Sequence, residues 1–312
     1  MSANIDELPA AVTVGAGRLT LGVAVHGNVD VTVRCLQAIF SSVAGEFDLI
    51  LVDDASAEDV VGLFREAREF HPRTRIFRFG QNREYSHSVN CILRSAATEV
   101  VAFVSNDVFI TPTYVRGLLA AMADPAIGIA RGVSNFVDGI IDSPLHNIDV
   151  PDGIAGYEDM ARFAARRHAL GNALSDDLFL TGDAFAVRRA VVDRLGGFDT
   201  GLVGYLSDID FGIRTRQAGW RKVVCAGAFA WHAQDANIRY LPDEERRRKV
   251  ERRKMRVDAA WKRLRAKWGL HEVPEDWQST HLLRIPFARL EAMEFREEWV
   301  APPVSYAEFE IS

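Results

Sequence analysis

No uninterrupted apolar run in these 312 residues approaches the ~18–20 residues that a membrane-spanning helix needs. An excess of positive charge is missing too. With 37 Lys and Arg against 43 Asp and Glu the net charge is −6, which argues against nucleic acid as the main partner. The N-terminal stretch Met1-Ser2-Ala3-Asn4-Ile5-Asp6-Glu7 has no basic region followed by an apolar one, so a secretory leader is not expected. Cysteine is scarce: Cys35, Cys91 and Cys225 are odd in number, far apart and set among apolar residues. That disfavours a disulfide framework or a zinc site and points to reduced thiols in a core, hence to the cytoplasm. A dinucleotide-binding glycine turn is absent as well, because Gly15-Ala16-Gly17 precedes a strand instead of following one.

What is present is an ordinary globular composition, 48% hydrophobic and 26% charged, enough for one large domain or two smaller ones. The chain is organised around Val100-Val101-Ala102-Phe103-Val104-Ser105-Asn106-Asp107-Val108. Its apolar run reads as a strand buried on both faces of a parallel sheet. It stops on three short oxygen-bearing side chains, and open parallel sheets bind ligands just beyond the carboxyl ends of their strands. A carboxylate there, Asp107, suits a hard divalent cation that also carries phosphate oxygens.

The rest of the first half alternates. Strands are expected at 19–25, 47–52, 75–79, 100–108 and 127–130, with helices at 29–40, from Asp53 to about 70, at 86–97 and after Pro112. Such βα alternation with short connections implies a mostly parallel, Rossmann-like sheet with helices on both faces. The second strand also ends on carboxylates, Asp53 and Asp54. From 134 to 175 the pattern loosens into turn chemistry with a helix at 157–170. Strand character resumes at 178–187, interrupted by Thr181-Gly182-Asp183. A helix then ends at Gly196-Gly197, where glycine accepts the left-handed cap. Ser207-Asp208-Ile209-Asp210 opens another, a strand follows at 222–225, and Ala228-Phe229-Ala230-Trp231-His232 closes the ordered part.

The tail differs in character. Residues 241–268 hold twelve Lys and Arg against five Asp and Glu, with Val250, Val257, Trp261, Leu264 and Trp268 on one helical stripe. Such a helix either packs along its stripe on the main domain or, over 243–268, contacts an anionic membrane surface, a partner or a second copy. The last forty residues, with four prolines, read as an irregular extension. The expected organisation is a domain over 1–240 and a basic helix with irregular extension over 241–312.

Over roughly 19–232 the chain resembles the family-2 nucleotide-sugar glycosyltransferases of GT-A fold. Leu51-Val52-Asp53-Asp54-Ala55-Ser56 is similar to the donor-nucleotide strand end, whose acid contacts the base. Ser105-Asn106-Asp107 stands where that family has its metal-binding Asp-x-Asp. Arg188-Arg189 with Gly196-Gly197-Phe198-Asp199 resembles the acceptor-side signature. Asp208-Ile209-Asp210 with Arg214 and Ala218-Gly219-Trp220 resembles the helix supplying the catalytic base, and His232 sits where a histidine often completes the metal site. The resemblance implies a nucleotide-sugar half at about 19–130 and an acceptor half at about 175–232. It further implies donor contacts from His26, Asn28, Asp53, Asp54, Asn82 and Asn106, and acceptor-side roles for Gly182, Asp183 and Asp210. Asp107 and His232 become ligands to Mn²⁺ or Mg²⁺, and Asp208 the general base. Three positions depart from the pattern: Ser105 replaces the first acid of the metal motif, Ser207 the acid before the base, and His26-Gly27-Asn28 the usual threonine-tyrosine-asparagine.

The chemistry wants these residue types. A divalent cation neutralises the charge gathering on a leaving diphosphate, and oxygen and nitrogen donors such as Asp107 and His232 suit it. The attacking hydroxyl must lose a proton to a positioned carboxylate. Asp208 and Asp210 lie two apart at a helix start and point to different sides, so at most one faces substrate; Asp210 is then free to cap the helix or pair with Arg214. The expected reaction is inverting transfer of a sugar from a nucleotide diphosphate to a hydroxyl of a glycan, lipid-linked or small-molecule acceptor. Two readings compete: a GT-A module that binds a nucleotide sugar or glycan without turnover, and a nucleotidyltransferase. The latter wants a Gly-rich loop with Lys or Arg after the first strand, which His26-Gly27-Asn28 is not.

Overall fold

The computed structural model describes residues 7–137, 145–202, 204–233, 242–277, 280 and 284–312. Its first half is built from β2 (Leu19–Val25), α1 (Val29–Ser42), β4 (Asp48–Asp53), α2 (Val60–Phe70), β5 (Thr74–Arg78), α3 (Glu84–Ser95) and β6 (Val100–Ser105). These four strands are all parallel, in the order β5-β4-β2-β6. Every residue of β6 but its last is buried, as a continuous apolar run between two helical layers requires. Two short strands, β1 (Val12–Val14) and β3 (Val43–Gly45), form a separate parallel pair.

The helix expected to open at Asp53 starts only at Val60, where the Asp59 side chain accepts the Gly62 N–H as its cap. The intervening loop is held by Asp53 itself, which accepts the Ser56 N–H at 2.8 Å, and it carries Ala55 at φ 58°. The predicted 100–108 strand likewise breaks at Asn106-Asp107. A two-residue strand β7 (Val108–Phe109) follows, then α4 (Pro112–Ala121), capped by the Thr111 hydroxyl with proline in its first turn.

Beyond α4 the sheet departs from simple alternation. The strand expected at 127–130 is β8 (Ile127–Ser134), and it does not pair with β6. Between them lies β10 (Ala184–Arg188), antiparallel to both, so that β6 and β8 still run the same way. The strand expected at 222–225 continues to His232 as β11 (Arg221–His232), parallel to β8 with irregular pairing between Val224 and Phe229. Strand β7 pairs antiparallel with its end, Val108 opposite His232. The loose 134–175 stretch contains α5 (Tyr157–Ala169) and β9 (Leu174–Asp176), which pairs with β11. Because β10 is reversed, its start meets the ends of β6, β8 and β11 at one sheet edge. That edge receives Asp107, Asp183 and His232.

Helix α6 (Arg189–Leu195) ends on Gly196 at φ 76°, as expected, and α7 (Ser207–Gln217) follows. The tail is helix α8 (Asp243–Lys267), then α9 (Phe287–Glu291), and finally β12 (Glu310–Ile311), which adds antiparallel to β5 at the sheet margin. Its predicted apolar stripe is buried at Trp261, Leu264 and Trp268, in one cluster with Leu206, Ile209 and Ile213 of the α7 region. The stretch expected to be irregular has little regular structure, yet Ile285, Phe287, Leu290 and Trp299 are buried in that cluster. Each such burial stabilises by about 1.5–3 kcal/mol, enough to hold a segment with few backbone ladders.

Candidate active site

A cavity of about 310 Å³ opens at the edge where β6, β10 and β11 meet the start of α7. Its floor carries Asp107, Asp183, Asp208 and His232. Asp208 sits in the first turn of α7, just after Leu206, a non-glycine residue held at φ 61°. That conformation costs energy and concentrates at working sites. The Asp208 Oδ2 accepts the Gly182 N–H at 2.8 Å and Oδ1 the Ile209 N–H at 2.9 Å. Burial pushes the carboxyl up to about 6, with the Asp183 charge adding to the rise, while the backbone donors hold it down.

Gly182 is pinned from the other side too, its carbonyl accepting the Tyr85 hydroxyl at 2.6 Å. A Cβ there would lie 1.9 Å from that hydroxyl, so only glycine fits. Tyr85 is itself held protonated by burial and by the Asp208 and Asp183 charges.

Beside this pair, His232 Nε2 lies 3.5 Å from Asp107 Oδ2, and its Nδ1 lies 3.0 Å from the Phe136 carbonyl oxygen. Burial lowers the imidazole pKa, but the Asp107 and Asp183 carboxylates outweigh it and raise it to about 9. Asp183, expected on the acceptor side, lines the cavity and is paired from behind. Its carboxylate is 3.3 Å from the guanidinium of buried Arg131 and 3.8 Å from His232 Nδ1, and its carbonyl accepts the Ser105 N–H. Arg131 was not foreseen; its signal was a charged residue inside the otherwise apolar Ile127-Gly128-Ile129-Ala130-Arg131 run.

The residues expected to meet the donor lie along the neighbouring strand ends. His26 Nδ1 is 2.8 Å from the Asp54 carbonyl oxygen, and the Asp54 carboxylate accepts the Arg83 N–H at 2.6 Å. Burial raises the Asp54 pKa against that donor. Asp53 is fully buried and turned inward, bonded to Ser56 and 2.9 Å from Arg78, so a direct contact with a base is not available to it here. Asn28 stands at φ 61° before α1, its N–H donating to Glu58. Asn106 donates to the Thr32 hydroxyl, and Asn82 accepts the Glu84 N–H. None of these six lines the cavity.

Asp210, expected on the acceptor side, is not on the cavity either. It is fully buried behind Asp208, 2.7 Å from Arg214 Nε and 2.8 Å from Lys267 Nζ, and it accepts the Trp268 indole N–H. The alternative weighed for it, a pair with Arg214 four residues on, is the geometry observed. Lys267 also reaches Asp199, so the end of α8 is clamped onto α7. Arg253 and Val257 of α8 and Trp277 also line the cavity, and none of the three belongs to a motif in the sequence.

Among the described residues no three His, Cys, Asp or Glu side chains converge as a metal centre. What converges is one carboxylate and one imidazole, Asp107 and His232, with Asp183 behind the ring. That donor set fits a divalent cation which takes most of its ligands from phosphate oxygens and water.

The comparisons agree with this architecture. The description "Glycosyltransferase like family 2" matches residues 17–256. An uncharacterized protein, y4gI of Sinorhizobium fredii, is 26% identical over 227 residues, covering 70% of this chain but 24% of that protein. The chain thus spans about a quarter of the length of that curated relative. Among solved structures, the mannosyltransferase PcManGT from Pyrobaculum calidifontis in complex with GDP-Man and Mn²⁺ superposes with a TM-score of 0.55 at 17% identity, over 88% of this chain and 72% of that one. GalNAc-T7 with UDP, GalNAc and Mn²⁺ gives 0.54 at 13% identity, over 69% and 43%. The fold is GT-A, an α/β architecture around a mostly parallel sheet, and the chain belongs to glycosyltransferase family 2.

Proposed function

We propose that the protein transfers a sugar from a nucleotide diphosphate to a hydroxyl of an acceptor, with inversion, using Asp208 as the general base. The observation that carries this reading is a cavity-facing carboxylate with its pKa raised to about 6. Such a group is largely ionised at neutral pH yet more basic than an exposed aspartate, which suits proton abstraction. Two backbone N–H groups aim it, and each oxygen keeps a lone pair for the incoming hydroxyl proton. One base acting opposite a leaving group is the arrangement of a direct displacement.

Asp107 and His232 would hold the divalent cation. When bound, that cation supplies the positive charge a departing diphosphate needs. The family neighbours with Mn²⁺ support the choice of Mn²⁺ or Mg²⁺. Asp183 orients the His232 ring, and Arg131 pairs with Asp183 from behind. His26, Asn28, Asp54, Asn82 and Asn106 shape the nucleotide end, Asp53 by fixing the loop. The cytoplasm is the compartment we infer, since Cys35, Cys91 and Cys225 are free and buried.

Thermal stabilisation by a panel of nucleotide diphosphates, with and without Mn²⁺, tests the donor half. At 100 times its dissociation constant the right nucleotide adds about 2.7 kcal/mol. The shift should need the cation and vanish in Asp107→Ala; a full shift in excess chelator would refute the metal assignment.

A further inference from the structure

We propose that Ser86, in the first turn of α3, is a positioning residue for the base: through Ser207 it fixes the start of α7 and so the direction of Asp208. This deepens the glycosyl-transfer reading and rests on it. Three consecutive residues at the start of α3 reach three different elements around the cavity. Glu84 pairs with Arg256 of α8 at 2.8 Å. Tyr85 donates to the Gly182 carbonyl, and the Gly182 N–H is a donor to Asp208 Oδ2. Ser86 reaches α7: its Oγ lies 2.9 Å from Ser207 Oγ and 3.2 Å from the Leu202 carbonyl oxygen. Its one hydroxyl hydrogen thus serves two acceptors, which stand at the two ends of one connection.

That connection needs such a tie. Gly204, Tyr205 and Leu206 line the cavity, and Leu206 is held at φ 61° directly before Ser207 and Asp208. A non-glycine residue stays in that conformation only where its surroundings over-determine it. On one side the Leu206 carbonyl accepts the Asp210 N–H. On the other, the hydroxyl of Ser86 holds the neighbouring Ser207. Ser86 and Ser207 are both fully buried, so water does not replace this bond once it is removed. The Asp208 carboxyl is therefore aimed by two adjacent residues of one helical turn, Tyr85 through Gly182 and Ser86 through Ser207. A hydroxyl pair that only completed the core would affect stability and leave the rate alone, and the two cases separate by measurement.

The test uses the full chain with Mn²⁺ and follows release of the nucleoside diphosphate from UDP-glucose, UDP-N-acetylglucosamine and GDP-mannose in water, taking the one cleaved fastest. S86A should lower kcat about tenfold, the scale of one buried hydrogen bond, with donor KM unchanged. S207A removes the same bond from the other side and carries the same expectation, which keeps the test open if S86A does not fold. In an Asp208→Asn background neither change should slow the residual rate by more than about twofold, because both act through Asp208. A second readout needs no turnover. The stability that Asp208 lends is lost as pH rises through about 6, and an Asp208 released from its burial titrates nearer 3.8. The part of the pH slope of thermal unfolding that Asp208→Asn removes should therefore shrink in S86A; Asp183 and Tyr85, which face the same carboxyl, are unaltered in every variant. A lower thermal midpoint with kcat and pH slope both unchanged overturns the proposal. So does an equal fold-loss in kcat with and without Asp208. If Asp208→Asn itself leaves the rate intact, or no nucleotide sugar is cleaved, the base reading or the transferase reading falls, and the pH slope alone decides whether Ser86 sets the Asp208 carboxyl.

Discussion

The acids that end and follow β4 and the acids at the centre of the sheet edge look alike in sequence but are held differently. After β4 three carboxylates are engaged by neighbouring groups of the fold: Asp53 by Ser56 and Arg78, Asp54 by the Arg83 N–H, and Glu58 by the N–H groups of Asn28 and Val29. At the centre, Asp107, Asp183 and Asp208 face a cavity and one another, and their charges push neighbouring groups away from ordinary pKa values. The outer acids build a shape. The central ones crowd together at a cavity and shift one another's neighbours, the setting in which acid–base chemistry is found.

The sharpest way to break this contrast is Asp208→Asn, which keeps size and polarity but cannot take a proton. It should lower kcat by roughly 10²–10⁴-fold, about 3–5 kcal/mol of barrier, with donor affinity little changed. Its pH dependence has two signs. A base must be ionised, so kcat/KM of the unaltered protein should rise as pH passes about 6. Stability should move the other way. The folded carboxyl is raised above 3.8, so the stability it lends is complete below that value and is lost as pH rises through about 6. Asp208→Asn should flatten both slopes, as read by pH–rate profiles and thermal unfolding.

Asp210→Ala probes an acid that lies two residues away yet belongs with those engaged by the fold. Both Asp210 and Arg214 are fully buried, and stripping one partner from such a pair costs about 3–5 kcal/mol. The loss should appear in the urea midpoint, while molecules that remain folded keep turning over. If Asp210→Ala abolished turnover in folded protein and Asp208→Asn did not, the two roles would be exchanged.

The smallest effect expected is from Tyr85→Phe, which removes one hydrogen bond to the Gly182 carbonyl. Stability should fall by about 0.5–1.5 kcal/mol. The rate should drop only a few-fold, because the Gly182 N–H that aims Asp208 remains. A loss of kcat as large as that of Asp208→Asn would mean that the tyrosine hydroxyl touches substrate.

The sequence was most readable where one signal is local. The run from Val100 to Val104 could only be a doubly buried strand, and its polar ending marked Asp107 in advance. Gly196 announced the end of α6, and the spacing of Asp210 and Arg214 announced their pair. Asp53 misled for an equally local reason: an acid followed by Ala55-Ser56 matches a helix start, but the partner that captured it, Arg78, comes from the next strand. Arg131, Tyr85 and Trp277 carry no motif, because each acts through a residue far along the chain.

By itself, then, the sequence determined which segments are strands and helices and which carboxylates stand at segment ends, because period, apolar run length and turn residues are properties of neighbours along the chain. The tertiary structure alone decided that β10 enters backwards between β6 and β8, carrying Gly182 and Asp183 to Asp208 and His232. It also decided that α8 folds back to wall the cavity, burying Trp261, Leu264 and Trp268. Sheet order and docking of this kind are settled by burial summed over many distant side chains, a quantity that no single stretch of sequence displays.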